Sequence, residues 1–194
     1  TNDPEYDPTT HSNDPTFLIT YRDTKGVEDY WTYTSLGLES KGSASVNNFN
    51  GQLVAMNPVA SVGGNRMPVS IDLIYNQAQN SQAPGSMCGY GYRTNFHMRL
   101  ETETSSLLTE QGYIYYLTDA DGTDHYFYNY VDEDGLGYTL TDSGGSDAKY
   151  TITDKNGGKM IFDSDGYLRE IADSNGNKIV VAYETANSSK RITT

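Results

Sequence analysis

Short runs of apolar and aromatic residues alternate with polar ones along most of the chain. "MPVSIDLIYN" (Met67–Asn76) sets Val69, Ile71, Leu73 and Tyr75 on one face, a period of two that predicts a half-buried strand. The same pattern predicts strands at "FLITYR" (Phe17–Arg22) and "DYWTYTS" (Asp29–Ser35), and one long strand over "YGYRTNFHMRLE" (Tyr90–Glu101). "SVNNFNGQLVAMNP" (Ser45–Pro58) reads as a hairpin with Asn50-Gly51 at its tip. Polar, Gly/Pro-interrupted residues 77–89 read as a loop.

Beyond Gly112 the pattern becomes regular. "YIYYLTD", "DHYFYNYV", "YTLTD", "KYTITD", "KMIFD", "YLREIAD" and "KIVVAYE" are separated by acid-rich steps ending at Gly122, Gly135, Gly157, Gly166 and Gly176. The leading acids Asp119, Asp132, Asp154, Asp163 and Asp173 stand 13, 22, 9 and 10 residues apart. Strands at that spacing, with turn residues between them, predict a meander of antiparallel hairpins. No 3.6-residue apolar stripe is sustained anywhere. The expected fold is therefore all-β, an antiparallel hairpin meander with sandwich-like sheets. Residues 1–15 read as a tail, 16–103 as an N-terminal β region and 104–194 as the hairpin series, the last two sharing one core.

Composition narrows the function classes. Seventeen tyrosines and 19 glycines suit strands joined by tight turns. A net charge of -13 disfavours nucleic acid or an anionic membrane as partner, since both need a basic footprint. No apolar run is long enough for a transmembrane helix, so no membrane insertion is expected. The single cysteine, Cys88, excludes an internal disulfide and a cysteine-rich zinc site. The polar opening has no signal-peptide pattern, which fits a processed or excised chain.

The acidic steps could be calcium loops or hairpin turns. An EF-hand loop needs its first acidic ligand five residues before the glycine. Leu117, Tyr130, Ile152, Ile161 and Ile171 stand there instead, so no metal site is expected. Two-residue Asp-Gly or Asn-Gly turns fit better, with the preceding Asp bonding backbone N–H groups two residues on. His11, His97 and His125 lack zinc-ligand spacing, and Gly89-x-Gly91 lacks the rest of a phosphate loop. Glu101 and Glu103 would share a strand face roughly 7 Å apart, as a glycosidase pair or as a solvated strand end. No catalytic residue and no cofactor are expected. Tyr126, Tyr128 and Tyr130 alternate with Phe127, and their common face could stack sugar rings or serve cross-strand packing.

Phe162-Asp163-x-x-Gly166-x-Leu168, followed by Asn175-Gly176-Asn177, resembles the repeat unit of YD-repeat (RHS) proteins. "YYLTDADGTDHYF" (Tyr115–Phe127), "GNRMPVSIDLIYN" (Gly64–Asn76) and "GYGYRTN" (Gly89–Asn95) are similar to the segments preceding that family's repeats, with Tyr92 where Trp is common. The resemblance spans about Asn47 to Glu184. It implies the shell-initiating part of a large bacterial secreted or wall-associated protein, whose hairpin arrays coil into a hollow shell. The partner would then be the rest of its own parent chain. A cell-surface glycan or protein is the alternative partner, met through the exposed tyrosines. The family's autoproteolytic and toxin regions have no counterpart here.

Overall fold

A computed structural model describes residues 25–38, 42–64, 66–79, 88–186 and 189–193. The expected tail, the strand at Phe17–Arg22 and most of the loop at 77–89 lie outside these residues. Within them the fold is all-β and antiparallel, with one short helix.

The first sheet runs in chain order: β1 (Tyr33–Gly37), β2 (Ser43–Asn47), β3 (Leu53–Val62), β4 (Val69–Asn76) and β5 (Tyr92–Thr94). Its hairpin at Asn50-Gly51 forms as the sequence predicts, with Gly51 at φ +75°. The expected strand at Asp29–Ser35 begins only at Tyr33, because the Trp31 N–H bonds back to Glu28 and turns the chain. Val69, Ile71, Leu73 and Tyr75 do share a face, yet the opposite face is the more buried one. Ile74 is 1% exposed and Asn76 0%, whereas Ile71 is 38% exposed.

The long strand expected over Tyr90–Glu101 breaks in two. His97 accepts the Thr94 N–H on Nδ1 and returns its own N–H to the Thr94 carbonyl, making a turn. The chain thereby leaves the first sheet and enters the second. That sheet has nine strands: β6 (Arg99–Thr102), β7 (Tyr113–Thr118), β8 (Asp124–Tyr128), β9 (Val131–Asp132), β10 (Thr139–Asp142), β11 (Tyr150–Thr153), β12 (Lys159–Phe162), β13 (Leu168–Ala172) and β14 (Lys178–Val180). Helix α1 (Ser106–Glu110) sits between β6 and β7 and buries Leu108.

One turn design joins β7–β8, β11–β12, β12–β13 and β13–β14. The first Asp of each accepts N–H groups two and four residues on: Asp154 from Asn156 and Gly158, Asp163 from Asp165 and Tyr167, Asp173 from Asn175 and Asn177. Asp119 does the same for Asp121 and Thr123. The glycine N–H bonds back to the same Asp carbonyl. Only the glycines take positive φ, between +80° and +95°. These are three-residue loops with a left-handed glycine, not the expected two-residue turns. A two-residue turn with both residues at positive φ, 48° and 68°, forms at Asn129-Tyr130 between β8 and β9.

The sheet curls. Gly166 in the β12–β13 turn accepts the Leu100 N–H at 3.0 Å, and Arg99 bridges to Tyr167, so β6 meets the far end of its own sheet. The concave side holds Leu100, Leu117, Phe127, Leu140, Ile152, Phe162, Leu168 and Val181. No residue of β1–β5 belongs to that core; from residues 16–103 it takes Leu100, with Phe96 and Met98 packed against it. Past β14 the chain forms a separate ribbon, β15 (Ala182–Ala186) and β16 (Ser189–Thr193). The ribbon leans on the β12–β13 turn: Tyr183 meets Tyr167 edge-on, and Lys190 pairs with Asp163 and Asp165.

Candidate functional site

The three tyrosines proposed for sugar stacking do not form one platform. Tyr126 is 3% exposed, packed with Leu108 and Tyr113 beneath α1. Tyr128 is 48% exposed and tilts against Tyr113. Tyr130, carried across the edge by its turn, tilts against Tyr115, whose side chain belongs to the opposite face. Alternation in the sequence could not show that α1 covers one end of the row. Tyr126→Ala is expected to cost about 3 kcal/mol in urea unfolding, against under about 1 kcal/mol for Tyr128→Ala.

Glu101 and Glu103 are also separated in role. Glu101 accepts the Tyr116 hydroxyl at 2.9 Å and pairs with Arg99 at 3.2 Å, at the rim of a cleft of about 330 Å³ shared with Tyr115 and Asp165. Glu103 is buried and accepts the Ser105 N–H at 2.7 Å, fixing the entry to α1. The pair does not face one cleft.

The densest charge cluster joins the two sheets. Asn76, fully buried at the end of β4, donates to the carbonyls of Lys25 and Asp121. Asp121 accepts the Val27 N–H, and Lys25 pairs with Asp124. At its centre His125 donates toward Asp134 at 2.7 Å and Asp119 at 3.3 Å, with Glu28 at 3.9 Å. Burial alone would lower the His125 pKa, but the hydrogen bonds and charges of Asp119, Asp134 and Glu28 outweigh it and hold it up at about 10. Burial, reinforced by the neighbouring carboxylates, raises Glu28 to about 7. Burial and the charge of Asp119 do the same to Asp121. An imidazolium held among carboxylates is a clamp, and among the described residues no set of three ligands is placed to hold a metal. The sequence shows these acids only as turn residues. Nothing in their spacing reveals that Asp119 and Asp134 converge on His125.

The sheet edges differ sharply. On β5 the outward Thr94 N–H is taken by His97 and the Tyr92 N–H by the Gly89 carbonyl, at 3.3 Å. On β6 the outward Leu100 N–H is taken by Gly166. On β14 the bonds Asp173–Asn177 and Val181–Arg169 fix the phase, so Ile179 faces β13 while Lys178 and Val180 present N–H and C=O outward. No described strand pairs with that side. It opens on an apolar groove of about 450 Å³, walled by Val69, Ile71 and Phe96 across from Ile179, Val181 and Ile192.

Comparison with known proteins returns no match: no protein-family profile, curated protein or solved structure resembles the chain significantly.

Proposed function

We propose that this chain is a non-catalytic structural module that initiates a β-hairpin shell in a large bacterial surface or secreted protein of the YD-repeat type. The observation carrying this reading is the asymmetry of the nine-stranded sheet. One end is closed by Gly166 on Leu100, while the other ends on the unpaired backbone of Lys178 and Val180. Unpaired edges are normally protected by capping, charge or cover, as β5 and β6 are here. An open end following four copies of one turn suits a sheet that grows by further hairpins. The residues of the repeat-like motif have matching roles: Phe162 and Leu168 are fully buried, Asp163 caps the turn, and Gly166 makes the closing contact.

The test is electron microscopy of a longer product of the same gene. Further hairpins continuing the sheet into a hollow wall are expected. A following domain that folds independently and leaves β14 open would end the proposal. A second reading, glycan recognition on a cell surface, rests on the exposure of Tyr128 and Tyr130. A glycan array read with Tyr128→Ala tests it, because that change leaves the core intact.

A further inference from the structure

We propose that the groove beside β14 accepts an extended strand prolonging β16, antiparallel to β14, with an apolar side chain opposite Ile179. The inference rests on the reading above for the open edge. It adds the identity of the wall and the side-chain phase of the occupant.

The register supplies the path. Within the ribbon Ala182 opposes Thr193, Tyr183 opposes Ile192 and Glu184 opposes Arg191. Carried on in the same register, the second, third and fourth residues beyond Thr193 fall opposite Val180, Ile179 and Lys178. Those are the positions where β14 offers backbone groups outward at Lys178 and Val180, and where its ladder is incomplete. A strand there would satisfy both sets of groups, as edge addition does elsewhere.

The side-chain pattern follows from the period of two. Tyr183 and Ile192 are cross-strand partners, and both pack on the main core. Val181, 4% exposed, continues that row along the same face, and Ile179 follows it. The residue opposite Ile179 therefore prolongs an apolar row, while those opposite Val180 and Lys178 point the other way. Val180 is 64% exposed, so polar residues suit its neighbours. Across the groove stand Val69, Ile71 and Phe96. The first sheet thus supplies the wall against which the incoming strand packs, which gives its half-exposed apolar face a use.

The experiment lengthens the 194-residue chain at its C-terminus by one four-residue strand in two forms. One carries valine and the other lysine at the position opposite Ile179. Amide hydrogen exchange is read at Lys178 and Val180, and thermal unfolding gives the midpoint. Both forms are expected to slow exchange at the outward amides by about tenfold or more. Only the valine form should raise the midpoint, by about 3–6 °C, and Ile71→Ser should remove part of that rise. Equal midpoints would overturn the inference while leaving the open-edge reading standing. Unchanged exchange in both forms would overturn that reading itself. If the unlengthened chain already protects Val180 in a concentration-dependent dimer that Val180→Pro abolishes, a second copy occupies the groove and the proposal fails.

Discussion

Replacing Gly166 by alanine is expected to destabilise the protein by about 4 kcal/mol or more. Two effects add at this position. Its φ of +80° disfavours any L side chain, and an added Cβ would stand 1.9 Å from the Leu100 carbonyl oxygen. That oxygen is backbone of β6 and cannot swing aside as a side-chain tip could. Relief must come from opening the contact that curls the sheet. Gly176 provides the control. It has nearly the same φ, +82°, with nothing within 4 Å of the added carbon. Gly176→Ala should therefore show only the conformational part, about 1–2 kcal/mol. Urea unfolding of both variants measures the difference, and equal losses would show that closure at Leu100 contributes nothing.

Removing the imidazole is the second large change. His125→Leu removes the imidazolium that Asp119, Asp134 and Glu28 share, in surroundings where His125 itself is 5% exposed. Stripping one partner from a buried charge cluster costs about 3–5 kcal/mol. The intact protein should carry a matching signature. His125, Glu28 and Asp121 all bind their protons more tightly when folded, with pKa values raised to about 10, about 7 and about 7. A raised value gives stability that is complete below the unfolded pKa and is lost as pH climbs through the folded one. Asp119 is lowered, despite its burial, by its bonds to His125 and the turn. Its share is lost only as pH falls below the ordinary carboxylate range. Stability should therefore be highest near pH 4 and decline by on the order of 3 kcal/mol toward pH 9. A flat or rising profile in urea titrations across that span would remove the charged clamp.

This clamp is where the chain's own pattern stopped being informative. Short apolar and aromatic runs locate β4, β7, β8 and β10 to β14, and Asn50-Gly51 locates the β2–β3 hairpin, but the run Asp124–Val131 gives no sign of the turn that separates β9 from β8. The acid–glycine steps marked the turns for an equally local reason: one Asp side chain closes a loop within four residues of itself. The turn type was less accessible, since two-residue and three-residue loops draw on the same residues. Tyr90–Glu101 looked continuous because nothing in its alternation distinguishes a strand from a strand broken by His97 bonding back to Thr94. The row at Tyr126, Tyr128 and Tyr130 failed as a platform for a similar reason. One short helix and one turn, both set by distant packing, sent the three rings to different surroundings.

What the sequence determined by itself is therefore the class of the fold and the hairpin repeat, both consequences of contacts between near neighbours. Tertiary structure decided the rest: the closing of β6 on Gly166, the gathering of Glu28, Asp119 and Asp134 around His125, and the open edge at Lys178 and Val180. The first joins Leu100 to Gly166, the second brings Glu28 to His125 from the far end of the described chain, and the third depends on β14 having a described neighbour on one side only. Local pattern carries no record of such distances, because burial, charge pairing and edge exposure arise only when the sheet has curled.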